Sequence, residues 1–162
     1  MERTIVNATE ADRAEVLALY KSMIGYEGCP WTDHYPDNQE ITYDLSRDSL
    51  FIMKDETGRI IAAISVDHDE EVNALEYWTK ELAPGGELSR LAVARDMQNQ
   101  GIAREMLRFG MQVLKQRGFK SIHFLVNRHN IKAVRSYDHL HFNNVGECCM
   151  FEQDFWCYEQ EL

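Results

Sequence analysis

The stretch QNQGIAREML, from Gln98 to Leu107, sets Gly101 and Ala103 at the point where a strand pattern gives way to a helical one. The first backbone N–H groups of a helix have no partner within it, and the aligned peptide dipoles leave a partial positive charge there. Small residues at such a junction let a diphosphate approach the backbone and take hydrogen bonds from those amides. Arg104, on the first turn, adds a candidate charge-assisted contact. Strand–glycine–helix junctions also occur in α/β folds that bind nothing there, so the turn alone leaves both readings open.

Charge is distributed unevenly around this turn. The chain of 162 residues carries a formal net charge of −10. Between Leu88 and Arg135 stand ten basic residues against only Asp96 and Glu105, a net of +8, while 7 basic and 25 acidic residues elsewhere net −18. The overall sign argues against nonspecific binding to nucleic acid or anionic membranes. One basic segment in an acidic chain suits a compact polyanionic ligand, although helix surfaces are often charged without purpose.

The remaining bulk properties bound the class. A composition of 44% hydrophobic and 27% charged residues is that of a soluble globular chain, and the length suggests a single domain over 1–162. No apolar run approaches the roughly 20 residues that span a bilayer. The opening MERTIVNATEAD lacks a signal-peptide core, so a cytoplasmic protein is expected. Cys29, Cys148, Cys149 and Cys157 show no metal-ligand spacing, and reduced thiols are expected. The six histidines, His139 and His141 among them, offer no third ligand at zinc spacing, so no metal is expected.

Several elements must position the turn. RTIVNA reads as a first strand, and Thr9 as the N-cap of a helix from Glu10 to Met23. GYEGCPWTDHYPD reads as a loop and Asn38–Leu45 as a second helix. SLFIMKD and RIIAAISVD form a hairpin about Glu56-Thr57-Gly58. After an acidic insert, ELSRLAVA makes a strand from Glu87 to Ala94. Asn99 to Arg117 then makes an amphipathic helix closed by Gly118. KSIHFLVN is a strand, IKAVRSYDHL a helix, and Val145–Tyr158 one or two closing strands. The order βααβββαβαβ(β) describes an α/β layered domain with helices on a mixed sheet.

The run ELSRLAVARDMQNQGIAREML resembles the signature of the GNAT superfamily of acyl-CoA-dependent N-acetyltransferases: Glu-x-x-x-Leu-x-Val, a four-residue spacer, then Gln/Arg-x-x-Gly-x-Gly/Ala. Glu87, Leu91 and Val93 meet the strand part, and Gln98, Gly101 and Ala103 the turn. Downstream, NIKAVRSYDHLHF resembles the second signature, Asn-x-x-Ala-x-x-x-Tyr-x-x-x-Gly-Phe, through Asn130, Ala133, Tyr137 and Phe142. His141 stands where the family has glycine, which normally supplies a left-handed residue after the helix. The resemblance covers nearly the full chain. It implies a mostly antiparallel sheet of six to seven strands with about four helices.

It also implies acetyl-CoA as cosubstrate, held by Leu91, Ala92, Val93, Gln98, Asn99, Gln100, Gly101, Ile102, Ala103, Arg104, Asn130 and Ala133. Acyl transfer to an amine needs a neutral amine, a stabilised oxyanion and a proton for the departing sulfur. A free alkyl amine is mostly ammonium at pH 7, so a base must take its proton. Glu87 is the candidate base; strand alternation puts it on one face with Leu91 and Val93. A backbone N–H near Val93 is the implied oxyanion donor. Tyr137 is the candidate acid, since a phenol with pKa near 10 keeps its proton at pH 7.

On the acceptor side the resemblance points to Trp31, Tyr35, Glu76 and Trp78, within aromatic and acidic stretches that also hold Asp67, Asp69, Glu70, Glu71 and Tyr77. Such a mixture suits a cationic amine, although charge runs are more often solvated surface. An N-acetyltransferase acting on a primary amine by direct attack is the leading reading, with a homodimer left open. A noncatalytic acyl-CoA sensor is the alternative, which would need neither Glu87 nor Tyr137. A Rossmann nucleotide site is disfavoured, for it lacks the third small residue and the acidic ribose partner.

Overall fold

The structure, a computed structural model, describes residues 2–26, 29, 31–150 and 152–162, without the side chains of Lys132, Ala133 and Ser136. Seven strands and four of the five helices follow the expected order; the fifth is a short helix between the third and fourth strands, where only an acidic insert was expected. The sheet runs β1-β2-β3-β4-β5-β7-β6. Its pairings are mostly antiparallel, with β4 and β5 parallel. The chain forms two compact units, each built from two segments: Met1–Val66 with Ser89–Gly110, and Asp67–Leu88 with Met111–Leu162.

In the first unit, β1 (Thr4–Asn7), β2 (Leu50–Lys54) and β3 (Ile60–Asp67) form an antiparallel meander. Every residue of β3 from Ile60 to Val66 is buried, as a nearly continuous apolar run in a central strand requires, Ser65 being the one polar member. The β2–β3 turn is closed by Asp55, whose Oδ1 accepts from the N–H groups of Thr57 and Arg59, and by Gly58 at φ 87°. The expected first helix begins as a 3-10 turn, Glu10–Asp12, before α1 (Arg13–Ser22). The Thr9 N–H donates to Asp12 Oδ2 at 2.8 Å in that turn. α1 buries Val16, Leu19 and Tyr20, and α2 (Asn38–Ser46) buries Ile41 and Asp44. Asp37 caps α2, its carboxylate accepting from Asn38 N–H at 2.8 Å.

In the second unit, the acidic insert forms a short helix, α3 (Glu70–Asn73), and a 3-10 turn, Lys80–Leu82. Asp69 caps α3, and Trp78 Nε1 donates to Val72 O at 2.6 Å. The buried Glu159 carboxylate accepts from Thr79 N–H at 3.1 Å and from the Thr79 hydroxyl, clasping the insert to β7 (Gln153–Glu161). β5 (Ser121–Asn127) lies beside β7 along its whole length, and β6 (Asn143–Met150) pairs with β7 as the edge. α5 (Ile131–His139) ends at His141, whose φ of 66° is the left-handed conformation expected of a glycine there. The bonds from His141 N to Asp138 O and from Phe142 N to Tyr137 O close that helix end.

β4 (Gly85–Val93) and α4 (Ile102–Gln116) carry the expected turn between them. β4 begins two residues before Glu87, and α4 begins three residues later than its sequence pattern suggests. The delay has a backbone cause: Asn99 and Gly101 have φ of 63° and 79°, which no right-handed helix accommodates. Gly118, at φ 93°, ends α4 as expected. Among the described residues no helix is long and apolar enough to cross a membrane.

Candidate active site

Within the first unit, Gly101 takes the N-cap position of α4. The first helical bond runs from Glu105 N to Gly101 O at 3.1 Å. Helix geometry therefore leaves the N–H groups of Gly101, Ile102, Ala103 and Arg104 without intrahelical acceptors, and a glycine cap brings no side-chain oxygen to satisfy them. Gly101, Ala103 and Arg104 are exposed, and none of the described residues stands within 4 Å of where a Gly101 Cβ would be. Left-handed Asn99 and Gly101 bracket Gln100. Asn99 and Gln100 are exposed as well.

Two residues of the expected cofactor set do something else with their side chains. Ile102 is 2% exposed and belongs to the core, so only its amide faces the turn. Gln98 Nε2 donates to Val93 O at 3.1 Å, bracing the end of β4. On the strand itself Ala92 and Val93 are buried and Leu91 is half-buried. The simple alternation expected along β4 is interrupted by Arg90, whose φ is 49°. Residue parity therefore does not by itself put Glu87 on one face with Leu91 and Val93.

Arg90 is the feature of this unit that sequence reasoning missed. Its Nη2 donates to Asp44 Oδ1 at 2.7 Å and to Ser65 Oγ at 3.3 Å, while Nη1 donates to Tyr35 Oη at 3.3 Å. Asp44 is fully buried and the Arg90 side chain is 14% exposed. Burial works against the guanidinium charge, but Asp44 and Tyr35 together outweigh it and hold the pKa above its ordinary value. Of the acceptor-side aromatics, Tyr35 is exposed and Trp31 is half-buried, edge-on to Tyr20 at 5.5 Å.

The second unit holds Glu87, Tyr137, Asn130, Glu76 and Trp78. The β4–β5 ladder consists of Gly85↔Ser121 and Gly86↔Ile122, so Glu87 and His123 come next in register. A Cβ on Gly85 would lie 2.4 Å from His123 Nδ1, and one on Gly86 2.4 Å from Leu114 Cδ2. These two contacts define two faces. Half-buried Glu87 alternates onto the Gly85, Ser121 and His123 face. Tyr137 lies on the other: its ring packs on Phe124 at 4.5 Å, Phe142 at 5.6 Å and Tyr158 at 6.0 Å. Burial raises the Tyr137 pKa, so its proton is held more firmly than in water.

Asn130 precedes the first turn of α5, its carbonyl accepting from Val134 N–H at 3.0 Å. The Ala133 side chain lies outside the described residues. Trp78 is half-buried and stacked on His123, and Glu76 is exposed with most of the acidic insert. Among the described residues no group of three His, Cys, Asp or Glu side chains is placed to hold a metal.

The sequence of residues 11–142 matches the model of the acetyltransferase (GNAT) family. The chain belongs to that family. A comparison with curated proteins found no match. Solved structures agree on the fold at low identity. The ribosomal-protein-S18-alanine N-acetyltransferase of Escherichia coli is 17% identical, with a TM-score of 0.72, 99% of this chain and 94% of that one being covered. A GNAT-family acetyltransferase of Listeria monocytogenes is 17% identical, with a TM-score of 0.76 and coverage of 100% and 96%. The yncA protein of Salmonella typhimurium, solved with its cofactor acetyl-CoA, is 16% identical, with a TM-score of 0.72 and coverage of 100% and 95%. This GNAT chain is thus an acyltransferase by family, with a seven-stranded sheet of the GNAT kind.

Proposed function

We propose that this GNAT enzyme moves the acetyl group of acetyl-CoA to a primary amine, of a small metabolite or a peptide, by direct attack in a ternary complex. The observation that carries the reading is the open turn at Gly101 and Ala103, whose uncapped amides suit a diphosphate. Arg104 is exposed beside it and supplies a cation.

Glu87 is the residue to take the proton of the attacking ammonium, directly or through water. As the amine nitrogen bonds to the thioester carbon, the carbonyl oxygen becomes an oxyanion that a backbone N–H near Val93 stabilises. The C–S bond then breaks, Tyr137 delivers a proton to the sulfur, and the nitrogen gives up its second proton, which returns through solvent to the Tyr137 phenolate and leaves a neutral amide. Glu87 and Tyr137 belong to opposite faces of the sheet in their unit. Trp31 and Tyr35 are the proposed acceptor contacts in one unit, and Glu76 and Trp78 in the other. Four free thiols fit a reducing, cytoplasmic setting.

The test is mass-spectrometric detection of acetylated product after incubation with acetyl-CoA and a panel of polyamines, amino acids and short peptides. Product from at least one amine supports the reading. Coenzyme binding without product from any amine favours the noncatalytic sensor instead.

A further inference from the structure

We propose that the buried Asp44–Arg90 pair is a positioning device that holds a left-handed step in β4 and so aims the backbone N–H groups of Leu91 to Val93. The inference rests on the acetyl-transfer reading, which assigns an oxyanion donor to that segment.

Arg90 is an unusual residue for a positive φ. Left-handed backbone is adopted mainly by glycine and by short polar residues, and here it occurs inside a nine-residue strand. Such a conformation persists only when the surroundings over-determine it. The surroundings do so through one side chain. The Arg90 guanidinium reaches Asp44 on α2, Ser65 on β3 and Tyr35 in the loop between α1 and α2. Asp44 is itself held: α2 is capped by Asp37, and the Asp44 carbonyl accepts from Ser49 N–H at 3.0 Å.

A left-handed step rotates the peptide that follows it, so the N–H groups beyond it no longer continue the direction of the ladder before it. Ala94 N–H donates to Ile61 O on β3 at 2.9 Å, and Gln98 Nε2 fixes the Val93 carbonyl. The donors from Leu91 to Val93 therefore lie between two fixed points, with Arg90 as the upstream one. A buried ion pair is weak evidence for stability, because apolar residues of similar volume commonly replace it without loss. Its placement on the strained residue of the strand that carries the donors points to orientation instead.

The same guanidinium holds the hydroxyl of exposed Tyr35. One side chain thus fixes both the strand proposed to face the thioester and an aromatic proposed to face the acceptor. Arg90 touches neither reactant in this scheme; it is a positioning residue.

The test compares two double variants with the wild type. Asp44→Leu with Arg90→Met removes the pair and keeps apolar volume. Asp44→Leu with Arg90→Gly removes the pair but lets the backbone take the left-handed step freely. Thermal melts establish that each is folded. With the best amine from the panel, the Met double is expected to lose about 100-fold in kcat, the scale of a misaimed catalytic donor. Its affinity for acetyl-CoA is expected to stay near that of the wild type, and the Gly double to regain about tenfold of the lost kcat.

NMR backbone chemical shifts of residues 90–93 read the step without reference to turnover: extended in the Met double, left-handed in the Gly double. Wild-type kcat in the Met double, or a left-handed residue 90 in it, overturns the inference. Absence of acetylated product from the wild type would overturn the acetyl-transfer reading instead, while the chemical shifts would still decide whether the pair holds the step.

Discussion

His123 lies nearly flat against Trp78, the ring centroids 4.2 Å apart and the planes 19° from parallel. The imidazole is 2% exposed, its Nε2 has no hydrogen-bond partner among the described residues, and Glu159 is its register partner on β7. Burial pushes the His123 pKa from 6.5 down to about 4, the Asp69 carboxylate opposing only part of that. The folded protein thus binds fewer protons here than the unfolded chain does. The resulting stability is full above pH 6.5 and is lost as the pH falls toward 4.

Between pH 7 and pH 5 this amounts to about 1–2 kcal/mol. His123→Phe keeps a flat ring against Trp78 and removes the titration. Urea melts at the two pH values are expected to show a smaller acid loss in the variant than in the wild type. Equal losses would mean that His123 does not titrate between those limits.

Gly86 is a packing requirement. An added methyl group would meet three atoms of fully buried Leu114, at 2.4, 3.0 and 3.1 Å. Gly86→Ala is expected to cost about 1–3 kcal/mol through overpacking. Leu114→Ala vacates the same space, so the double variant is expected to be more stable than the two single losses together imply. Strict additivity in thermal melts would show that the two residues do not compete for volume.

Tyr137 sits in an aromatic cluster whose burial raises its pKa above that of an ordinary phenol, so it keeps its proton at neutral pH. As the acid toward sulfur it would lose no activity through its own ionisation on the alkaline side of neutrality. Tyr137→Phe preserves the ring packing on Phe124 and is expected to lower kcat by about 10²–10⁴ with acetyl-CoA affinity near wild type. Steady-state kinetics with a titration of the cosubstrate separates the two quantities. Equal turnover in both proteins would exclude Tyr137 as the acid.

What the sequence made legible was local. The hairpin about Gly58, the Gly118 helix stop and the amphipathic stripe of α4 each depend on residues within a few positions of one another. The left-handed His141 was not legible, since a histidine in place of glycine left the geometry of that helix end open; the conformation belongs to the helix end and not to the residue type. Nor was the late start of α4, since nothing in the apolar stripe reports the φ of Asn99. Arg90 was missed for a related reason. In an alternating strand an arginine reads as one more surface cation, and its partner Asp44 stands 46 residues away on another element. His123 was one of six histidines with no spacing to distinguish it; its meaning comes from Gly85 and Trp78, which the fold brings to it.

The claim on which the rest depends is that this chain holds acetyl-CoA, and its melting temperature with and without the coenzyme tests that most directly. A ligand present at 100 times its dissociation constant stabilises the native state by about 2.7 kcal/mol, a shift of several degrees in a chain of this size. The expected result is a clear, concentration-dependent rise with acetyl-CoA. An unchanged melting temperature at millimolar coenzyme would contradict it.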